Sequence, residues 1–257
     1  MTTFNALLNH AMTLAREAGA EQLKLFRSKE LNIATKQNDF DVVTTADKAS
    51  EKIIVEGINK IYPDHSVLTE ESGFSLKGNS EWTWVIDPLD GTTNYSSGLP
   101  WFNVSIGIKQ GERTVAGVVY APQLNEMFAA TLGGGATLGG KAIKPSLTPS
   151  LSKAVVSTGF PYDKATNPDN NLDNFMRIMP VVRGLRRLGS AALDICYVAA
   201  GFLDAYWELN LHEWDVCAAL LIAQEAGAFT RRFRPDRNWC ILAANPHLAP
   251  QISQLIQ

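Results

Sequence analysis

Two aspartates, Asp87 and Asp90, flank a proline in the segment VIDPLDGTTNY, which covers residues 85–95. The apolar run WTWVI before them predicts a buried β-strand that ends at Asp87, because Pro88 has no N–H to place in a β-ladder. Two neighbouring carboxylates repel each other, and one takes up a proton unless a cation lies between them. Their oxygens suit Mg²⁺ or Mn²⁺ better than zinc. The pattern predicts a metal site, with a plain solvent turn as the alternative.

The residues after Asp90, GTTN, predict the start of a helix whose first N–H groups bind an anion. A metal site next to an anion site indicates phosphate chemistry. Other acids strengthen this prediction, although each set has an ordinary structural alternative.

Glu70 and Glu71 end a second apolar, strand-like run, HSVLTEE, and the alternative there is a solvated loop. Asp215 follows Trp214 at the start of an apolar helix, and Asp47 precedes another helix. The alternative for both aspartates is an ordinary helix cap. Together these acids make a catalytic metal site the stronger hypothesis.

The acidic segments resemble those of the inositol monophosphatase family, whose members are magnesium-dependent phosphatases. The segments that carry the resemblance are DVVTTAD (41–47), LTEESG (68–73), WVIDPLDGTTNY (84–95), GSAALD (189–194) and YWELNLHEWDVCAALLIAQEAGA (206–228). They occur in the family order, and the resemblance spans essentially the whole chain. The DPLDGT segment together with the later Trp-Asp pair is highly specific for this family.

The resemblance implies about two to three Mg²⁺ ions in the active site. Glu70, Asp87 and the backbone carbonyl of Leu89 would hold one ion. Asp87, Asp90 and Asp215 would hold a second, and Glu70 with water would contact a weaker third. The implied reaction is direct attack of an activated water on a phosphate monoester, without a covalent phosphoryl-enzyme.

The resemblance assigns catalytic roles to Glu70, Thr92 and Asp47, with Asp47 orienting Thr92 so that it helps to activate the water. The implied substrate-binding residues are Gly91, Thr92, Asp90, Ala191, Glu208 and Asp215. The N–H groups of Gly91 and Thr92 would bind the phosphate, and Glu208, Asp90 and Ala191 would line the alcohol end. Lys36 matches a loop lysine near the third metal.

Strand-like and helical segments are mixed without strict alternation, which favours an α+β or layered sandwich architecture over a Rossmann domain. The resemblance implies a layered α/β/α/β/α sandwich of the inositol monophosphatase and fructose bisphosphatase type, assembled as a homodimer. We expect one compact unit with an N-terminal α+β half (1–145) that carries most metal ligands. The C-terminal α/β half (146–257) would carry the Trp-Asp motif.

Several local patterns predict individual elements. A first helix is expected over about 3–28, and a second is expected to stop at Pro63. Ser190 is placed as the N-cap of a helix, and another helix is expected to end at Gly227. GGGATLGGKAI lacks the order of a phosphate loop and predicts a hairpin turn.

Hydrophobic residues make up 46% of the 257 residues and charged residues 19%, which is typical of a soluble globular protein. The net charge of -3 argues against a general binder of nucleic-acid polymers, which would be clearly basic. Three cysteines without CxxC spacing fit a reducing cytoplasm better than a disulfide framework. No stretch reads as a signal peptide or reaches the ~20 apolar residues of a membrane span. We therefore expect a cytoplasmic protein with no nucleic-acid polymer as partner and no membrane contact, while a nucleotide-sized substrate remains possible.

The physiological substrate is open at this stage. Inositol monophosphate is the default, and fructose bisphosphate, 3′-phosphoadenosine 5′-phosphate and histidinol phosphate are the rivals within the superfamily. A regulatory protein that keeps the fold without catalysis is the alternative from another class. Inhibition by Li⁺ is implied by the resemblance. The short basic segment FTRRFRPDRNW (229–239) departs from the family pattern and bears on substrate preference rather than on the metal ligands.

Overall fold

The computed structural model of the chain describes residues 3–35 and 42–257. The helices in these ranges are α1 (Thr3–Leu25), α2 (Thr45–Ile61), α3 (Thr92–Ser96), α4 (Leu172–Ile178), α5 (Ala191–Ala199), α6 (Glu213–Ala226) and α7 (Ala249–Ser253). The strands are β1 (Ile33–Thr35), β2 (Val42–Thr44), β3 (Ser66–Thr69), β4 (Gly73–Leu76), β5 (Trp82–Asp90), β6 (Asn103–Gln110), β7 (Arg113–Ala121), β8 (Glu126–Thr131), β9 (Gly135–Leu138), β10 (Lys141–Ala142), β11 (Val155–Thr158), β12 (Gly184–Arg186), β13 (Ala205–Leu211), β14 (Phe229–Arg234) and β15 (Trp239–Ala244).

Two large sheets form the frame of the molecule. The first has eight strands in the order β10-β9-β8-β7-β6-β5-β3-β4, in which only the β3–β5 pair is parallel. The second has five strands in the order β12-β11-β13-β15-β14, with β11 parallel to both of its neighbours. Strands β1 and β2 make a separate antiparallel pair.

Side chains that alternate along the strands divide the core into layers. Helices α1 and α2 pack on one face of the eight-stranded sheet, where Leu14 and Ile54 meet Trp84 and Ile106. Helices α5 and α6 fill the space between the two sheets, and α4 and α7 pack on the outer face of the five-stranded sheet. The expected α+β sandwich with α/β/α/β/α layers is confirmed.

The strand that carries the two opening aspartates does not end at Asp87, so that prediction is wrong. Strand β5 continues to Asp90 because a β-bulge takes Pro88 out of the ladder. Asp87 pairs with Ser105 and Asp90 with Asn103, so two residues of β5 oppose one residue of β6. In a regular strand, residues three apart point to opposite faces. The extra residue therefore brings the two carboxylates to the same side.

Helix α6 lies directly on the eight-stranded sheet because two glycines leave room for it. A Cβ at Gly107 would lie 2.4 Å from Cys217 Sγ, and a Cβ at Gly117 would lie 2.8 Å from the carbonyl oxygen of Ala218. Both distances are shorter than van der Waals contact. The close approach fixes the first turn of α6, which carries Asp215, next to β5 and β6.

The other local predictions largely hold. Helix α1 ends at Leu25, three residues before the expected boundary, and α2 ends at Ile61 before Pro63. Ser190 is the N-cap of α5, where its hydroxyl accepts a hydrogen bond from the backbone N–H of Leu193, and Gly227 ends α6 in the left-handed conformation. The glycine-rich segment forms the β9–β10 hairpin. Within 3–35 and 42–257, no helix combines the length and apolar character needed to cross a bilayer.

Candidate active site

Most of the residues assigned from the sequence meet in one cleft. It lies where β3, β5 and β11 end and where α3, α5 and α6 begin, and its volume is about 120 Å³. The assigned residues that line it are Glu70, Asp87, Leu89, Asp90, Gly91, Thr92, Ala191, Glu208 and Asp215. Asp47 lies behind this lining and contacts Thr92, and Lys36 lies outside the described residues.

Glu70 and Asp87 come together because β3 and β5 are parallel neighbours. Thr69 pairs with Ile86, and the backbone N–H of Glu70 donates to the carbonyl of Ile86 at 3.1 Å. The next residue on each strand is therefore an acid at the same edge of the sheet. Glu70 is partly buried, whereas Asp87 is only 2% exposed.

The pKa of Asp87 is raised well above its usual range, first by burial and then by the negative charges of Glu70, Asp90 and Asp215. Burial and the charges of Glu70 and Asp90 likewise raise the pKa of Asp215. Close carboxylates without a cation repel each other in this way. The cleft thus stores electrostatic repulsion that a bound cation would relieve.

Asp90 is held by three donors that all meet the same oxygen. Its Oδ2 accepts hydrogen bonds from Ser190 Oγ at 2.6 Å, from Asn103 Nδ2 at 3.0 Å and from the backbone N–H of Ala192 at 2.9 Å. Burial raises the pKa of Asp90, and these donors oppose the rise. With Oδ2 satisfied by protein donors, Oδ1 is the oxygen that Asp90 has left for a ligand in the cleft.

Asp215 is not the N-cap of its helix, so the simple cap alternative needs correction. The N-cap of α6 is His212, and Asp215 is the third helical residue, whose Oδ2 accepts from the backbone N–H of His212 at 2.7 Å. Asp47 has the same place in α2, where its Oδ2 accepts from Thr44 N at 2.8 Å. Each aspartate completes a capping box with one oxygen and keeps the other for the cleft side.

The Thr92 side chain connects the bend after β5 to helix α2 through hydrogen-bond contacts. Its hydroxyl lies 3.0 Å from Asp47 Oδ1 and 3.0 Å from the carbonyl oxygen of Leu89. Burial raises the pKa of Asp47 to about 6, against the hydrogen bonds from Thr44 and Thr92. Asp47 is therefore mostly ionised at neutral pH and can accept the Thr92 hydroxyl hydrogen, which leaves the Thr92 oxygen to accept a hydrogen bond from water.

Glu208 lines the same cleft, and it is close enough to Asp90 and Asp215 for their charges to interact. Tyr206 donates a short hydrogen bond to Glu208 Oε2. Burial raises the pKa of Glu208 to about 7, and the Tyr206 hydrogen bond and the positive charge of Arg187 oppose the rise. A Cβ at Gly159 would lie 2.0 Å from Glu208 Oε2, so only glycine leaves room for this carboxyl group.

The chemistry of the donors fits Mg²⁺. The acids and the Leu89 carbonyl offer only oxygen atoms, which is the ligand type that Mg²⁺ prefers. Within 3–35 and 42–257, no group of three or more His, Cys, Asp or Glu side chains is already arranged so that it could hold a metal ion. Mg²⁺ is usually held by one or two carboxylates with waters and substrate phosphate, so a closed cage is not required. The mutual repulsion of the carboxylates is the feature of the cleft that favours a bound cation.

Sequence reasoning missed several polar residues that hold the acids of the cleft. Asn103 and Tyr206 were not assigned, and Ser190 was assigned only as a helix cap. Each donates to an acid of the cleft, Asn103 and Ser190 to Asp90, and Tyr206 to Glu208. Tyr206 and Glu208 are two residues apart in β13, so the alternation of side chains along the strand puts them on the same face. No local signal in the sequence indicated the contacts of Asn103 and Ser190 with Asp90.

The chain is similar to known proteins over nearly its whole length. A sequence model of the inositol monophosphatase family matches residues 5–256. The Nus factor SuhB of Pasteurella multocida is 40% identical over 257 residues, which cover 98% of this chain and 96% of that protein.

Solved structures have the same fold. An inositol monophosphatase from Anabaena (Nostoc) sp. PCC 7120 superposes with a TM-score of 0.88 at 37% identity, covering 99% of this chain and 96% of that one. The extragenic suppressor protein suhB of Bartonella henselae superposes with a TM-score of 0.90 at 34% identity, covering 97% of this chain and 98% of that one.

Proposed function

Because the chain belongs to the inositol monophosphatase family, we propose that it hydrolyses a small phosphate monoester with water and Mg²⁺. Inositol monophosphate is the substrate proposed first. The phosphate would lie at Gly91 and Thr92, and the alcohol would extend toward Ala191 and Glu208. Fructose bisphosphate, 3′-phosphoadenosine 5′-phosphate and histidinol phosphate are the competing substrates.

One observation carries the proposal. Four acids from three distant parts of the chain line the same cleft, and burial together with the charges of the neighbouring acids raises the pKa of two of them, Asp87 and Asp215. A structural role would favour partners of opposite charge for buried acids. A cluster of like charges supports cation binding, and the adjacent Thr92–Asp47 pair supports water activation.

When bound, Mg²⁺ supplies charge stabilisation at the phosphoryl group and lowers the pKa of water. The residues of the chain then have separate tasks. The attacking water would pass a proton to Thr92 Oγ1 while the Thr92 hydroxyl hydrogen moves to Asp47 Oδ1. Glu70 contacts the same water. The ester P–O bond breaks as the new P–O bond forms, and the leaving alcohol oxygen takes its proton from solvent. The Gly91 and Thr92 N–H groups orient the phosphate, so that water meets phosphorus opposite the leaving alcohol.

Glu208 is proposed to bind a hydroxyl group of the alcohol rather than to act in the chemical step. Its carboxylate accepts hydrogen bonds when ionised, and with the raised pKa of about 7 the ionised form becomes the major one as pH rises above about 7. Arg187 and Lys164 contribute positive charge that favours the ionised form. This end of the cleft is therefore suited to a polyhydroxylated alcohol.

The experiment for this proposal measures phosphate release from a panel of inositol monophosphate, the three competing substrates and phenyl phosphate. We expect the highest kcat/KM with inositol monophosphate. In Glu208→Gln, KM for inositol monophosphate should rise about tenfold, since a hydrogen bond to a charged group contributes about 1.5–3 kcal/mol, while kcat for phenyl phosphate stays within about twofold. No phosphate release from any member of the panel would contradict the proposed function.

The pH dependence of KM is a second measurement that tests the proposed role of Glu208 in binding the alcohol. As pH rises through about 7, Glu208 loses its proton, so KM for inositol monophosphate should fall. Phenyl phosphate controls for titration of the phosphate itself because it has no hydroxyl for Glu208 to bind. The difference between the two profiles should vanish in Glu208→Gln, and a difference that persists would remove Glu208 from the substrate site.

The name Nus factor SuhB supports a second function, in which the same fold binds a partner. For those relatives the name implies contacts with RNA polymerase or nucleic acid. This weakens the expectation, drawn from the net charge, that nucleic acid is excluded as a partner, because net charge does not describe local patches. Binding to RNA polymerase or RNA that is retained by a Thr92→Ala variant would support this function beside catalysis.

Family membership also supports inhibition by Li⁺ and assembly as a homodimer. Both are proposals for this chain. Residence in the cytoplasm is a proposal as well, and it rests on the cysteine pattern in the sequence.

A further inference from the structure

One wall of the cleft is an irregular segment, residues 159–171, between β11 and α4. We call it the cleft wall. Four consecutive residues at its start line the cleft, namely Gly159, Phe160, Pro161 and Tyr162. Because Gly159 packs against the Glu208 carboxyl group, the start of the cleft wall faces the alcohol end.

The two ends of the cleft wall are fixed to each other by one buried side chain. Asn171 is 4% exposed, and its Nδ2 donates to Thr158 Oγ1 at 2.9 Å and to the carbonyl of Gly159 at 2.7 Å. Its Oδ1 accepts from Trp207 Nε1 at 3.0 Å. These contacts close the segment into a loop. Residues 163–169 form the outer side of this loop.

The β14–β15 hairpin supports that outer side through two arginines. Arg237 Nη2 lies 2.6 Å from both carboxylate oxygens of Asp163, and Arg237 Nη1 donates to the backbone carbonyl of Asp169. Arg234 donates to both carboxylate oxygens of Asp169, at 2.9 and 2.8 Å. The same arginine contacts Asp236 within the hairpin at 2.8 Å.

These ion pairs are better placed than ordinary surface pairs. The side chain of Arg237 is 13% exposed and that of Arg234 is 24% exposed. Isolated exposed pairs contribute little, but linked pairs with paired hydrogen bonds and restricted side chains contribute more. Both arginines belong to the short basic segment 229–239, which departs from the family pattern. The proposed phosphatase chemistry uses no residue of this segment.

We propose that Arg234 and Arg237 are positioning residues that clamp the cleft wall and thereby set which alcohol the cleft accepts. The ion pairs of Arg234 and Arg237 are made with Asp163, Asp169 and Asp236, so the clamp acts on the substrate side and not on the chemical step. The claim about substrate choice rests on the proposed phosphatase function. The claim about the position of the cleft wall does not.

The first test is hydrogen–deuterium exchange of the amides in residues 160–171. In Arg237→Gln we expect exchange in this segment to rise about tenfold while exchange in β5 and α6 is unchanged, because the opening is local. Arg231→Gln is the matched control, since it removes the same charge from the same hairpin. The Arg231 side chain is exposed and makes no hydrogen bond or ion pair with the part of the chain that is described. Equal exchange in Arg237→Gln and wild type would overturn the clamp.

The second test separates substrate choice from general stability. Arg237→Gln should raise KM for inositol monophosphate roughly five- to tenfold and leave kcat for phenyl phosphate within about twofold. Asp163→Asn should do the same, and the double variant should be no worse than either single variant, because both remove one interaction. Additive effects, or equal losses with both substrates, would contradict the proposal. If wild type hydrolyses neither substrate, the phosphatase function fails, and the exchange result still decides whether the arginines hold the wall.

Discussion

Asp87→Asn is expected to stabilise the metal-free protein and to abolish its thermal response to Mg²⁺. The charges of Glu70, Asp90 and Asp215 surround Asp87, and burial adds to their effect. An asparagine keeps the oxygen that accepts from the backbone N–H of Leu89 at 3.0 Å, and its amide can donate to the neighbouring carboxylates. The substitution therefore removes repulsion at little loss of packing.

The sign of the pH dependence follows from the raised pKa of Asp87. The unfolded chain releases this proton near the ordinary value of 3.8, while the folded protein keeps it to higher pH. Wild type accordingly loses stability as pH rises above about 4, and the stability difference between Asp87→Asn and wild type should grow over that range. Thermal melts at several pH values, in EDTA, measure this difference.

Added Mg²⁺ should reverse the order of the two proteins. A ligand at about 100 times its Kd stabilises by roughly 2.7 kcal/mol, and each kcal/mol moves Tm by about 2–4 °C in a chain of this size. Wild type should thus gain roughly 5–10 °C with Mg²⁺ and phosphate, and Asp87→Asn should gain almost nothing.

Asp204→Asn is the matched control because Asp204 is a buried aspartate in an ordinary structural role. Its carboxylate accepts from the backbone N–H of Val155 at 2.7 Å and from Ser146 Oγ at 2.5 Å, away from the cleft. This variant should lose stability without metal and keep the full Mg²⁺ shift. If Asp87→Asn behaves like Asp204→Asn, Asp87 is a structural residue and not a metal ligand.

Thr92→Ala is expected to lower kcat by about 10²–10⁴-fold, the usual contribution of a positioned proton-transfer group. KM should change little because the backbone N–H groups at the phosphate remain. The hydroxyl lies 3.0 Å from Asp47 Oδ1, so its removal breaks the only link between this carboxylate and the water in the proposed scheme. Phosphate release from inositol monophosphate under saturating conditions measures the effect.

Thr92→Ser provides the control because it retains a hydroxyl at the same position, and it should recover most of the activity. Asp47→Asn is less clean, since Asp47 also accepts from the backbone N–H of Thr44 and caps α2. In wild type, kcat should decrease as pH falls below about 6, where Asp47 takes up a proton. A Thr92→Ala protein with near-normal kcat would show that Thr92 has no part in activating the water.

Much of the site was accessible from the sequence because its acids lie next to strong local signals. The apolar run before Asp87 and the small residues after Asp90 define a strand followed by a helix start, and the structure has both. Glu70 follows a second apolar run, which in the same way predicts a strand with an acid at its end. When a functional residue lies at the end of a strand or helix, the sequence signals that mark this end also give the position of the residue.

What the sequence missed depends on pairing between distant segments. Pro88 indicates a strand end locally, but the register with β6 allows a bulge there, and this bulge turns Asp87 and Asp90 to one side. Ser190 meets Asp90 across 100 residues of chain, which a cap pattern does not reveal. The basic segment of the β14–β15 hairpin does not reveal its partners, because Asp169 and Asp163 lie 65 and 74 residues from Arg234 and Arg237 in the chain.

Phosphate release by EDTA-treated protein, before and after Mg²⁺ is returned, tests the central claim most directly. Inositol monophosphate is the substrate, and the protein is the full chain, checked for folding by its thermal melt in each condition. We predict no release above the background without metal and restoration of activity with Mg²⁺, because the cleft acids bind the phosphate and activate water only around a cation. Undiminished phosphate release by the metal-free protein would contradict the account.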